Sequence, residues 1–437
     1  MKRIPPATGS GPAKGPAAGS ASAAADRPGS ATVAPTGRRY LQLVLVLGAL
    51  ISIGPLTVDM YLPALPELAE ELDAGDAAVQ VTLTGMLAGL AFGQLVIGPL
   101  SDSLGRRRPL LVGVLVHAVT SLLCALAPDV VSLSAVRVLQ GFAGAAISVN
   151  AMAIVRDLFV GIAAARLLSR LMLVIGAAPV LAPSLGGLIL QYTSWRGIFV
   201  VLAGFAVLLA VVAAVGLRET LPPQRRRSAR LMATLRTYRS LLRDRTFVAL
   251  VLVAGLMMSA LFSYISGSPF VFQDIYGLSQ RTYGLVFGGN ALGIVLGTQL
   301  NPLLLRRYLP SQVLTGAVLV ATAGATVLVV VTATGFGGLA GVLAPLAVIV
   351  TACGLALPNT PALALSRHGE AAGTAAALLG SVQFGVGAFT APLVGLLGTS
   401  TAVPMAAVIL GGAGLAAVLL LTVVRRDVNV DTAQNVD

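Results

Sequence analysis

Gly98-Pro99-Leu100-Ser101-Asp102-Ser103-Leu104-Gly105-Arg106-Arg107-Arg108-Pro109 joins two apolar runs, 78–100 and 109–127. Glycines near both ends of the joint allow a tight reversal, since glycine reaches backbone conformations closed to other residues. Three consecutive arginines hold the reversal at the edge of an apolar layer. Asp102 is placed to pair with one of them or to cap a neighbouring helix. A loop this short between runs of about 20 residues reads as the turn between two consecutive membrane helices.

The same reading extends along the chain. Of 437 residues, 56% are hydrophobic and 11% charged, about half the charged share of an ordinary soluble domain. No charged residue occurs from 308 to 366 or from 371 to 424, and each interval accommodates two spans. The ten-residue alternation of a membrane β-barrel is absent. The expected fold is an all-α membrane protein with twelve transmembrane helices in two pseudo-symmetric six-helix bundles. The spans fall near 40–63, 78–100, 109–127, 131–155, 167–192 and 196–216, then 246–270, 283–304, 312–332, 337–360, 371–397 and 402–424. Residues 1–39, rich in Gly, Ala, Pro and Ser, are expected to form a disordered cytoplasmic tail without the apolar segment of a secretory signal. The bundles are expected at 40–217 and 246–424, with a cytoplasmic tail at 425–437. The basic linker 218–245 carries Leu231, Leu235, Tyr238, Leu241 and Leu242 at helical spacing. It reads as a surface helix on the bilayer or as a solvated connector.

The net charge of +12 does not point to nucleic acid, because the basic residues sort by membrane side. With twelve spans and an inside N-terminus, 26 of the 29 Lys and Arg residues are cytoplasmic. Arg137, Arg196 and Arg281 are the exceptions. This asymmetry places both termini in the cytoplasm. Arg far outnumbers Lys, and Ala and Gly abound, which hints at a GC-rich bacterial genome and hence the bacterial plasma membrane. Cys124 and Cys353 lie in separate apolar runs and read as buried, unpaired thiols.

Of the 17 acidic residues, Asp59 alone falls inside a span, where a carboxylate costs about 2.5–3.5 kcal/mol on insertion scales. Its span runs outward and that of Arg137 runs inward. Each residue stands about six positions from the outer end, so the two are expected at matched depth, pairing or competing across a central cavity. They are the candidate proton-coupling residues. His117 reads as a hydrogen-bonded packing residue.

Residues 98–109 resemble the G-x-L-A-D-R-x-G-R-[KR] signature of the major facilitator superfamily. Gly98, Asp102, Gly105, Arg106 and Arg107 match it, while Ser101 and Ser103 replace its Ala and Arg. Asn301-Pro302-Leu303-Leu304-Leu305-Arg306-Arg307 is a degenerate echo of it. Arg137-Val138-Leu139-Gln140-Gly141 looks like the R-x-x-Q-G motif of the same superfamily. The stretch 176–187 is similar to its antiporter motif in span five, with Pro179, Pro183, Gly186 and Gly187. Asp59-Met60-Tyr61-Leu62-Pro63-Ala64-Leu65-Pro66 narrows the resemblance to the Bcr/CflA drug-resistance subfamily.

The resemblance implies a proton-coupled exporter of small amphipathic drugs, working by alternating access. The two loop and proline motifs would gate it, and the proton gradient would drive it without a cofactor. The substrate pocket is expected between the halves, from Tyr61, Met86, Gln94, Gln140, Asn150, Tyr264, Phe270 and Asn290. A monomer is expected. The alternative is a proton-linked importer of a small nutrient or metabolite, which the span-five motif disfavours. An enzyme is not expected, since two distant histidines, two distant cysteines and one embedded acid form no metal site. No Walker A sequence offers direct ATP drive.

Overall fold

In hydrocarbon every backbone N–H and C=O must find an internal partner, so the apolar runs become helices. The computed structural model describes residues 37–159, 161–226, 231–366, 368 and 371–424. Nearly all of the expected N-terminal tail, linker residues 227–230 and the tail 425–437 lie outside the described residues. The helices are α1 (Gly37–Asp59), α2 (Leu65–Glu71), α3 (Asp76–Leu104), α4 (Arg107–Ala125), α5 (Val130–Leu158), α6 (Gly161–Ile189) and α7 (Trp195–Gly216). There follow α8 (Leu231–Leu241), α9 (Arg245–Phe270), α10 (Gln280–Leu304), α11 (Pro310–Thr334), α12 (Gly338–Leu365), α13 (Ala372–Leu397) and α14 (Val403–Leu419). Eleven helical segments among the described residues are long and apolar enough to cross a bilayer. The 29-residue α6 occupies the place of the expected fifth span, and its apolar part, Val174–Ile189, is shorter than those eleven.

Helix starts are fixed by capping side chains. Asp129 accepts the Ser132 N–H at 2.8 Å to begin α5, and Asp244 accepts the Thr246 and Phe247 N–H groups to begin α9. Each satisfies donors that a helix start leaves orphaned. The turn between α3 and α4 follows the sequence reading, with Gly105 at φ +91°. A Cβ there would overlap the Glu219 carboxylate.

The loops at α3–α4, α7–α9 and α10–α11 collect arginines and define a basic end. Glu67, Glu70, Glu71, Asp73 and Asp76 mark the opposite, acidic end. Within each half the second span packs on the fourth, α3 on α5 and α10 on α12. Each pair carries a buried polar clasp. The Ser101 hydroxyl donates to Asn150 Oδ1 at 2.5 Å, and Asn359 Nδ2 donates to Asn301 Oδ1 at 2.6 Å. The halves meet along α3–α13 and α6–α10. Leu115 on α4, Val211 on α7, Val330 on α11 and Leu415 on α14 are exposed, an apolar belt suited to lipid.

One face of the linker helix is engaged with the two halves, while Leu235 of the same helix is exposed. Thr234, Thr237 and Tyr238 of α8 line a cavity between the halves. The Tyr238 hydroxyl donates to the Leu95 carbonyl of α3 at 3.3 Å, while α8 packs against α13.

Candidate functional site

Pro55 and the Leu62–Ala64 turn break α1 near the acidic end, so the helix terminates at Asp59. Asp59 is 4% exposed, and its Oδ1 has no hydrogen-bond partner. It faces the second half, within electrostatic reach of Tyr264 and Tyr283. Tyr264 stacks on Phe287 with ring centres 5.0 Å apart and planes 4° from parallel. Phe272 and Tyr283 complete that aromatic cluster. The Tyr264 hydroxyl and Asn290 Nδ2 are also buried, near enough to each other to interact but without a well-formed hydrogen bond. The Asp59 carboxyl on α1 thus leaves one oxygen orphaned beside a poorly bonded Tyr264–Asn290 pair on α9 and α10, in a membrane interior where buried polar atoms are ordinarily paired.

Arg137 is fully buried on α5 and makes no ion pair with Asp59, so the expected pairing is absent from this conformation. The reason is a competing network. Arg137 Nη1 donates to the Thr57 carbonyl at 3.1 Å and to Gln140 Oε1 at 2.8 Å. Gln140 Nε2 donates to the Ser121 hydroxyl at 2.8 Å, and Ser121 donates to the His117 carbonyl at 2.7 Å. Thr57 Oγ1 donates to the Ile53 carbonyl, so it accepts from His117 Nε2 at 2.9 Å. This circuit ties α1, α4 and α5 together. The Tyr61 and Phe199 rings cover the guanidinium, whose Nε and Nη2 remain unpartnered. His117 thus packs as the sequence suggested, but it packs inside the network that orients Arg137.

A cavity of about 860 Å³ opens at the basic end, lined by Gln94, Asp102, Arg106, Arg156, Tyr238 and Thr374 among others. Beside it, Arg106 pairs with Asp102 at 2.7 Å and Asp157 at 3.1 Å. Arg107 donates to the Leu217 and Ala214 carbonyls. Glu219 receives the backbone N–H groups of Arg106 and Arg107. Burial alone would push the Glu219 carboxyl up; the N–H groups of Leu221, Arg106, Arg107 and Thr220 outweigh it and hold the carboxyl below its usual range. The loop motif therefore clasps the ends of α5 and α7. Asp157 and Glu219 were missed by the sequence reading, although both stand beside basic residues at span ends.

The acidic end is closed. A Cβ on Gly186 would overlap the Met60 carbonyl, and one on Gly187 would stand 2.6 Å from the Gln280 carbonyl. Pro183 backs onto Gly284, where a Cβ would come within 2.5 Å of the Pro183 carbonyl. Pro179 and Pro183 both lie within α6. Gln80, fully buried on α3, donates to Ser266 O at 3.3 Å and accepts the Gly395 N–H at 2.9 Å. Gln280 donates to Glu67, and Gln273 to the Pro63 carbonyl. These amide stitches were also missed, because nothing in one sequence separates a bridging glutamine from an interfacial one.

Of the candidate pocket residues, Gln94 lines the cavity, as do Gly98, Asp102 and Arg106 of the loop. Tyr61, Met86 and Phe270 are fully buried packing residues. Gln140 and Asn150 spend their amides on helix-to-helix bonds. Tyr264 and Asn290 lie with Asp59 at the interface between the halves.

The sequence profile of the Major Facilitator Superfamily matches residues 45–392. The chain is 40% identical over 376 residues to the uncharacterized MFS-type transporter YdgK of Bacillus subtilis, covering 86% of this chain and 93% of that protein. It is 34% identical over 375 residues to a bicyclomycin resistance protein homolog of Haemophilus influenzae, covering 83% and 91%. The crystal structure of a D-xylose-proton symporter superposes with a TM-score of 0.70 at 17% identity, over 88% of this chain and 98% of that one. That likeness extends to the fold alone. The chain belongs to the major facilitator superfamily, in its Bcr/CflA drug-resistance branch.

Proposed function

We propose that this transporter exports small amphipathic compounds across the bacterial plasma membrane in exchange for protons, with Asp59 carrying the proton. The termini and the basic end face the cytoplasm in this reading, following the positive-inside rule. The observation that carries it is the Asp59 carboxyl, buried between the halves with an unpartnered oxygen. A lone ion there costs several kcal/mol, whereas a protonated acid does not. The state with a cavity at the basic end and a sealed acidic end therefore suits protonated Asp59. Losing the proton leaves a charge that a cationic ligand or the free edge of Arg137 would stabilise after rearrangement, and this favours the opposite access state. The resistance protein among the relatives supports drugs as the substrate class, and a protein of this size is read as working as a monomer.

The test compares wild type with Asp59→Asn in a drug-sensitive host, at matched membrane levels, across a panel of antibiotics. Wild type should raise resistance to at least one compound and Asp59→Asn should not. In everted vesicles, an imposed pH gradient should drive accumulation of that compound by wild type only. Full activity of Asp59→Asn would sink the proton role, and gradient-driven movement in the opposite sense would make the protein an importer.

A further inference from the structure

A second cavity, of about 610 Å³, lies away from the central site, between α10, α11 and α12. It falls within the size range of small-ligand sites. Its floor is made by small side chains, Gly316, Ala317, Ala347 and Ala352, and its rims by Val320 and Val348, which are exposed on the apolar belt. From Gln312 to Val320 the groove follows α11 for eight residues, about 12 Å at the helical rise. Tyr308 and Gln312 close it at the basic end. An apolar slot of this length, open sideways to the membrane, fits part of one acyl chain.

The charge beside its mouth selects the lipid. Arg306 and Arg307 follow α10 directly and are exposed, and neither pairs with any described acidic residue. The matching arginines of the first half behave differently. Arg106 pairs with Asp102 and Asp157, and Arg107 binds helix-end carbonyls. The same turn in the second half has no acid at the position of Asp102, where Pro302 stands. The first turn of α11, beginning at Pro310, adds its positive helix end at the same place. Two uncompensated guanidinium groups at the membrane interface therefore lie next to an acyl-sized slot.

We infer that this groove binds one anionic phospholipid, its acyl chain between α11 and α12 and its phosphate on Arg306 and Arg307. A zwitterionic lipid is disfavoured, because its ammonium group would sit against the two arginines. Each basic residue near the surface contributes about 1 kcal/mol to holding an anionic lipid, so the pair gives about a thirtyfold preference.

The full-length protein in detergent is titrated with dioleoyl phosphatidylglycerol, dioleoyl phosphatidylethanolamine or inorganic phosphate, and bound molecules are counted by native mass spectrometry. Wild type should retain one phosphatidylglycerol about thirtyfold more tightly than phosphatidylethanolamine. Arg306→Gln/Arg307→Gln should abolish that preference. Gly316→Leu should expel the lipid with the arginines intact, and it should fold, since a Cβ on Gly316 meets nothing within 4 Å. The inference is overturned if both variants bind phosphatidylglycerol as wild type does, if the two lipids bind equally, or if inorganic phosphate displaces the lipid.

Discussion

Arg137 lies over Tyr61, with its guanidinium carbon 4.3 Å from the ring centre. The planar group stacks on the ring while Nη1 reaches both the Thr57 carbonyl and Gln140. Lysine keeps the charge but has neither the plane nor the fork. Arg137→Lys should therefore lose the stack and one hydrogen bond, destabilising the protein by about 2–4 kcal/mol. A thermal-unfolding midpoint equal to wild type would mean that the network does not hold the first half together.

Asp59→Asn should act in the opposite direction on stability. The amide has the shape of the carboxyl without the charge, and Oδ1 has no partner to lose. The variant should unfold at or above the wild-type temperature, by up to about 2 kcal/mol, while losing drug export. A large drop in stability would show that the carboxyl is a structural anchor. This split between stability and transport separates a site residue from a packing residue.

The fold was legible because hydrophobic run length and arginine placement are direct consequences of the bilayer. The site was legible only in part. Asp59 stood out because an acid in a span is costly, and Arg137 because its motif is distinctive. Their spatial relation was not legible, since depth along a helix says nothing about rotation around it. Asp59 turns toward Tyr264 and Tyr283, while Arg137 turns toward Thr57 and Tyr61. Gln80 escaped notice for a related reason: an uncharged amide near a helix end costs little, so its burial across the interface leaves no mark in composition.

The closed acidic end predicts two distinguishable ways of opening it. Gly186→Ala places a methyl against the Met60 carbonyl and should force α6 from α1. Gln80→Leu removes the bonds to Ser266 and Gly395 but keeps most of the volume, at a cost of about 1–3 kcal/mol for the two lost bonds. Both should raise the labelling rate of a cysteine placed at Gln280 by a membrane-impermeant maleimide added at the acidic end. Gly186→Ala should also abolish export, whereas Gln80→Leu should shift the access equilibrium about tenfold or more. Unchanged labelling in both variants would remove the seal from this end.

The basic-end clasp predicts a pH dependence through Glu219. Its Oε1 accepts the N–H groups of Arg106 at 2.9 Å and of Thr220 and Leu221 at 3.0 Å, and Oε2 accepts that of Arg107 at 3.3 Å. These bonds outweigh burial and hold the folded carboxyl below the usual glutamate value of about 4.3. A depressed folded value means that the ionised group stabilises the fold above the unfolded value, and that this contribution disappears as pH falls through the folded one. Glu219→Gln cannot accept all four donors, because one of its two terminal atoms is itself a donor. The variant should melt below wild type at pH 7, and the gap should narrow as pH drops below about 4.3. A gap that stays constant from pH 7 to pH 3 would mean that shape, not the carboxylate charge, holds the loop to α7.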